Sequence, residues 1–381
     1  MTIAAIPAGL LAMLSLGLTL WQWALARRFP LHQGRTLPGP LPGVSVLKPL
    51  KGCDANTRHC LATWLDQRYD GPIQFLFAVA SPDDPVCPVV RQLLAERAGL
   101  DASLVVCESL PGPNLKVSKL ARLEAIARHP ILAVSDADVA IPPGMLNHLA
   151  TELADPKVGL VNPFYRFVGA STTAMKWEAF AVNADFWGGV LQSRALSPLK
   201  FALGAVMAVR GDCVAAIGGF AALEHHIADD YELGRRVAGL GRSVVLCPVL
   251  VECHEAPQGW ASVWRHQTRW ARTIRACQPG PYGASIVSNA TLWPLLWAAL
   301  SPTPWVLGAS GLCLLARLLT AWDNLQRFEQ GCTTHSNPAM AFLKDILQVF
   351  LWASAFLGSS VEWRGVRYRI RHDGKLIPVV R

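Results

Sequence analysis

From Thr2 to Ala26 the chain carries no charged side chain, and Arg27 and Arg28 follow at once. A run of that length crosses a bilayer's hydrocarbon core only as a helix, because lipid offers backbone N–H and C=O groups no partner. Trp21 and Trp23 sit near its end, where an aromatic belt lies, and the arginines mark the cytoplasmic side. A secretory signal is the rival reading, but it places its positive charges before the apolar run, and here they come after. Residues 1–27 are therefore expected to be a retained anchor, with the chain beyond Arg28 facing the cytoplasm.

A second uncharged stretch, Ala276 to Ala316, is broken by "SPTP" (Ser301 to Pro304) into what reads as a helical hairpin in or on the membrane. A third apolar run, Ile346 to Ser360, is short for a span and precedes the basic tail "WRGVRYRIRHDGK". Were all three segments to span, that tail would lie outside, against the positive-inside rule, so one of them is expected to be interfacial or re-entrant. Composition agrees with a membrane setting: 52% of residues are apolar and only 16% charged. The net charge of +8 fits nucleic acid or anionic headgroups and does not choose between them. The ten cysteines are scattered without a CxxC pair, and "ECHE" around Cys253 and His254 lacks a second ligand pair. Reduced cysteines in a reducing compartment are the expectation.

Between these segments, from Pro42 to about Arg275, short β-rich runs ("GVSVLK", "IQFLFAVA", "SLVVCES", "ILAVSDADV", "VGLVNPF", "SVVLCPVLVE") alternate with helix-like segments such as "VCPVVRQLLAERAG" and "NLKVSKLARLEAIARH". The alternation predicts an α/β domain with a mostly parallel, Rossmann-like sheet. The expected division is 1–27 anchor, 28–275 α/β domain, and 276–381 membrane helices with a basic tail.

In such sheets ligands bind at the carboxyl ends of strands. Three acidic motifs fall there: Asp83 and Asp84 in "ASPDDP", Asp136 and Asp138 in "SDADV", Asp229 and Asp230 in "HIADDYELG". Taken singly, each reads equally well as a solvated turn, a helix cap or a first helical turn. Taken in order, they describe a chemistry. Two carboxylates at i and i+2 after a strand can share a hard divalent cation, which would bridge a diphosphate and neutralise the leaving group. A separate carboxylate can deprotonate an incoming hydroxyl, and one base without a carboxylate nucleophile implies a single displacement with inversion. Downstream, "WRHQTRWARTIR" places Arg265, Arg269, Arg272 and Arg275 on one helical stripe. That stripe could grip nucleic acid, lie on a membrane or clamp a phosphate. No RNP, helix-turn-helix or zinc-finger signature accompanies it, so nucleic acid is not an expected partner.

"PGVSVLKPLKGCD", "DDP", "GPNLKVSKL", "SDAD", "VGLV", "IADDY" and "HQTRW", in this order, resemble the ceramide glucosyltransferases, membrane members of the inverting GT-A class, and also bacterial relatives that glycosylate hopanoids. The resemblance covers roughly residues 40–275 plus the membrane segments. It implies a GT-A fold and transfer of a sugar, glucose first, from a UDP-sugar to a lipid hydroxyl, ceramide first; the alternative is a hopanoid acceptor with UDP-N-acetylglucosamine. It implies that Asp84 helps hold the nucleotide, that Asp136 with Asp138 meets the diphosphate and a Mg²⁺ or Mn²⁺ ion, and that Asp230 is the base. Arg269 and Trp270 match the end of a (Q/R)xxRW signature, whose first position here is His266. Lys48, Lys51, Asn114 and Lys116 are candidate nucleotide-side contacts, with ordinary loop residues as the alternative. Arg272 and Arg275, just before the uncharged run, are expected to meet anionic headgroups.

Overall fold

The computed structural model describes residues 4–35, 40–332, 335–363, 366–371 and 373–379; Thr2 and Ile3 of the expected anchor and Arg364, Gly365 and His372 of the basic tail lie outside them. The chain forms two compact units, each assembled from separated segments: Pro30–Arg166 with Ser197–Ala256, and Met1–Phe29 with Phe167–Leu196 and Pro257–Arg381.

The first unit is built on an eight-stranded sheet. Its strands are β1 (Val44–Pro49), β2 (Ile73–Val79), β3 (Ala102–Val106), β4 (Ile131–Ser135), β5 (Val139–Ala140), β6 (Val158–Val168, whose last two residues belong to the other unit), β7 (Val206–Arg210) and β8 (Ser243–His254), in the order β3-β2-β1-β4-β7-β6-β8-β5. Strands β3, β2, β1 and β4 pair in parallel. Parallel neighbours need a crossover, and the helices Thr57–Leu65, Val86–Ala95 and Leu115–Glu124 supply it after β1, β2 and β3. Strands covered on both faces read as continuous apolar runs, and β1 and β4 are buried throughout. Three further pairs are antiparallel: β4 with β7, β7 with β6, and β8 with β5. The sheet is therefore mixed, with its parallel half in the expected α/β arrangement. From β1 the chain builds outward to β2 and β3, then returns to place β4 on the other side of β1. That reversal is a topological switch point, and it opens the crevice in which such sheets bind ligands.

The second unit is mostly helical. The uncharged N-terminal run forms the helix Ala5–Arg28, and Pro304–Phe328 forms another of 25 residues; both are long and apolar enough to cross a membrane. Of the three C-terminal apolar segments, the other two are shorter helices, Leu292–Leu300 and Met340–Phe356. The break at "SPTP" is real: the first limb stops at Leu300 and Pro304 opens the next, where its missing N–H is no loss. Ala5, Ala8 and Ala12 pack against Trp297 and Val306. Close packing of small residues replaces the hydrophobic drive that is missing between helices in lipid. A continuous helical stretch, Thr173–Phe180, a π-helical turn Ala181–Phe186 and Trp187–Leu196, belongs to the same unit, with the helix Trp260–Cys277. A small sheet, β9 (Ser360–Trp363), β10 (Val366–Ile370) and β11 (Leu376–Pro378), completes it.

Candidate active site

The switch point brings the first group of expected residues together. Lys48 ends β1 fully buried over the Trp64 ring, and its ammonium donates to the Asp136 carbonyl (2.6 Å) and Ser135 Oγ (3.1 Å) just beyond β4. Burial pulls its pKa down to about 8 against the raising effect of Asp138. Lys48 thus supports the Asp136 turn from within the sheet. Lys51 lies exposed in the loop after β1. There the N–H of Gly52, at φ +73°, donates to both carboxylate oxygens of Asp84 (3.0 and 3.2 Å). Asp84 also accepts from the N–H of Val86 (3.1 Å), opening the helix after β2. One carboxylate so joins the loops after two adjacent strands.

Asn114 caps the helix Leu115–Glu124 by accepting from the N–H of Val117 (3.2 Å), while its amide donates to the His226 carbonyl (3.0 Å) and Asp229 (3.4 Å). Two residues on, the Lys116 ammonium reaches Asp136 (2.8 Å) and Asp229 (3.3 Å). Burial opposes its charge, yet Asp136 and Asp229 hold its pKa above the usual lysine range. Asp138 is pushed up to about 6 by burial and then by the charge of Asp136, with Lys48 and Lys116 opposing. Two carboxylates two residues apart, one of them raised by burial and by the other's charge, are a donor set that suits a hard dication. Among the described residues no group of three His, Cys, Asp or Glu is gathered as a ready metal site, so further ligands would come from a diphosphate and water.

Asp229 and Asp230 open the helix Asp229–Gly239, where its dipole favours negative charge. Asp230 accepts from the N–H of Tyr231 (2.7 Å) and is raised to about 6, by burial first and Asp229 second, against the pull of Lys116. This helix is pressed onto the chain leading into β7. Phe201 stacks on Tyr231 at 6.3 Å, and a Cβ on Gly204 would come within 2.9 Å of Asp230 Oδ2. A Cβ on Gly234 would meet Ala202 N at 2.2 Å and Phe201 C at 2.4 Å, both backbone atoms that cannot swing aside. Gly234→Ala is therefore expected to displace this segment, costing about 1–3 kcal/mol of stability and lowering turnover through Asp230. Thermal unfolding and product formation check it, and parental values in both would refute the close approach.

His266, Arg269 and Trp270 lie in the other unit, on the helix Trp260–Cys277. His266 Nδ1 sits 2.8 Å from Glu178 Oε1, which also accepts from Gln267 Nε2 (2.7 Å), and the His266 ring meets Trp270 edge-on at 4.7 Å. Arg269 is half-buried and Arg265 exposed. Arg272 and Arg275, expected to meet anionic headgroups, are partly buried and have partners within the protein. Arg272 donates to the Ser360 carbonyl and Arg275 to that of Gly358 (3.1 Å), with its guanidinium over Phe356 at 5.5 Å. Both carbonyls lie in the link from the helix Met340–Phe356 into β9, which the two arginines tie to their own helix.

Several participants carry no signal of their own in the sequence. Asp229 is visible there only as a first-turn acid, Gly204 has no motif around it, and Glu178 stands far from its partners in the chain. His254, within an "ECHE" that lacks a metal-type partner pair, donates its backbone N–H to the Asp138 carbonyl (2.9 Å).

Comparison with known proteins meets this geometry. The family model for glycosyl transferase family 21 matches residues 8–376. The chain belongs to that family. It is 22% identical over 363 residues to ceramide glucosyltransferase 1 of Caenorhabditis elegans, covering 89% of this chain and 74% of that protein. It is 29% identical over 174 residues to the Candida albicans ceramide glucosyltransferase, covering 41% and 32%. Among solved structures, a Pyrobaculum calidifontis mannosyltransferase in complex with GDP-Man and Mn²⁺ superposes with a TM-score of 0.53 at 18% identity, covering 91% of this chain and 98% of that one. That likeness identifies the fold as the GT-A type. This family 21 member is a glycosyltransferase.

Proposed function

We propose that the chain transfers glucose from UDP-glucose to the hydroxyl of ceramide, with inversion at the sugar carbon, from the cytoplasmic face of a membrane. The observation that carries it is Asp230: a carboxylate at a helix start, on a different element from Asp136 and Asp138, raised to about 6 by burial and Asp229. Its proton affinity suits removal of a proton from an acceptor hydroxyl near neutral pH. With one base and no second carboxylate in the role of nucleophile, the sugar bond is exchanged in a single displacement.

Other residues have supporting roles in this reading. Asp84, with the Lys51–Gly52 loop, holds the nucleotide. Lys48 acts on Asp136 from behind, in place of a direct nucleotide contact. Asp136 and Asp138 would hold a Mg²⁺ or Mn²⁺ ion, which when bound neutralises the diphosphate as it departs. Arg269, with His266 and Trp270, is assigned to the transfer by the match to the (Q/R)xxRW signature. The helices Ala5–Arg28 and Pro304–Phe328 keep the enzyme where its lipid acceptor is. Arg27 and Arg28, and ten cysteines none of which is disulfide-bonded, support a cytoplasmic orientation.

The test offers purified full-length protein UDP-glucose or UDP-N-acetylglucosamine against ceramide or a hopanoid polyol, with products identified by mass spectrometry. Glucosylceramide is the expected product. A hopanoid N-acetylglucosaminide in its place would move the reading to the other acceptor, and no sugar transfer to any lipid would overturn it.

A further inference from the structure

Glu178 is 1% exposed on the helix Thr173–Phe180. Around it lie Ala174, Met175, Trp177 and Val263, an apolar core in which Trp177 stacks on Trp264 at 5.9 Å. The interface between this helix and Trp260–Cys277 is thus already closed by aromatic packing. Burying a carboxylate there costs several kcal/mol before its hydrogen bonds offset it. Packing gives no reason to keep Glu178, and its partners do.

Both partners lie on the signature helix, and both meet one oxygen: His266 Nδ1 at 2.8 Å and Gln267 Nε2 at 2.7 Å. A carboxylate oxygen only accepts, and Glu178 Oε1 accepts from the imidazole as it does from Gln267 Nε2. Nδ1 therefore carries the hydrogen, and Nε2 is the nitrogen left to meet anything else. The ring plane is fixed as well, because the same imidazole packs edge-on against Trp270 at 4.7 Å. Trp270 meets Phe167 on a further side at 6.3 Å. Glu178, His266 and Trp270 form a chain of contacts in which the buried carboxylate sets the orientation of the two groups after it.

We infer that Glu178 is a positioning residue for sugar transfer: it fixes the tautomer and orientation of His266, so that Nε2 is presented to the substrate, and through His266 it holds the indole of Trp270. This rests on the reading of His266 and Trp270 as transferase residues. Glu178→Gln keeps the volume and one acceptor oxygen, but it brings an N–H₂ that competes for the same partners and removes the charge that holds the proton on Nδ1. Loss of an outer partner of this kind lowers activity by about tenfold to a hundredfold.

The experiment uses full-length protein with UDP-glucose and ceramide, as Glu178→Gln, His266→Gln and the double variant. Glu178→Gln is expected to lower kcat by at least about tenfold, with the donor KM moved less than about threefold. A glutamine at 266 has no tautomer to fix, so within His266→Gln the second substitution should cost less than about threefold. Full kcat in Glu178→Gln, or a penalty undiminished beside His266→Gln, would overturn the inference; the latter is what a merely structural role produces. A second readout needs no turnover. In ¹⁵N-histidine-labelled protein the His266 resonances, assigned by their loss in His266→Gln, should report one Nδ1–H tautomer, replaced by a mixture in Glu178→Gln. If the parent transfers no sugar, the proposed function fails while this measurement still decides the role of Glu178. An unchanged tautomer in Glu178→Gln counts against that role.

Discussion

Asp230→Asn is expected to lower the rate of sugar transfer by about a hundredfold to ten-thousandfold, the range that a positioned general base contributes. Asparagine keeps the side chain's size and the oxygen that accepts from the N–H of Tyr231, so the helix start should survive and only the proton acceptor be lost. Binding of UDP-glucose, followed by calorimetry, should therefore persist. In the parent, the carboxyl is raised to about 6 by burial and by Asp229. A base must be ionised to work, so turnover should climb as pH rises through about 6 and level off above it. A variant that transfers glucose at the parental rate, or a parent whose rate stays flat from pH 5 to 7, would remove Asp230 from this role.

How much of this is legible in the sequence depends on what local pattern can carry. Strands β1, β2 and β4 declare themselves because a strand covered on both faces reads as a mostly apolar run. β7, "VMAVR", is as apolar and as long as β4, but no motif marks its place. Asn162 on β6 ties down the chain entering it, its amide donating to the carbonyls of Leu203 (2.9 Å) and Val206 (2.8 Å). Nothing in "VGLVNPF" announces that reach. The acidic motifs stand at strand and helix ends, as their flanking apolar runs indicate, yet the partners of those acids are invisible in the sequence. Lys48 reads there as a nucleotide contact or an ordinary loop lysine; only the neighbouring strand shows that its ammonium turns inward to Asp136. The segment Phe167–Leu196 lies between two stretches of the α/β unit in sequence but joins the helical unit in space. The partnership of Glu178 with His266 crosses 88 positions, and no periodicity spans such a distance.

The second large effect is expected at Lys116, where one ammonium serves two acidic motifs. Removing a partner from a buried ion pair leaves charge without compensation. Lys116→Met would leave Asp136 and Asp229 facing one another, with Asp229 almost wholly buried and Asp136 still 41% exposed. That exposure reduces the cost below that of a fully enclosed pair, to about 2–4 kcal/mol, read as a lower unfolding midpoint. Lys116 also opposes the forces that raise Asp230, so its loss should move the acid limb of the pH–rate profile to higher pH. The same variant addresses the donor set at Asp136 and Asp138. A divalent cation bound there would restore the missing positive charge, and a ligand that binds only the folded state stabilises it in proportion to its affinity. Added Mg²⁺ or Mn²⁺ should therefore raise the unfolding midpoint of Lys116→Met by more than that of the parent. Equal stability of the two proteins without metal would show that the ammonium does not hold these carboxylates together. An equal response to metal would show that the cation does not take up the charge that Lys116 leaves.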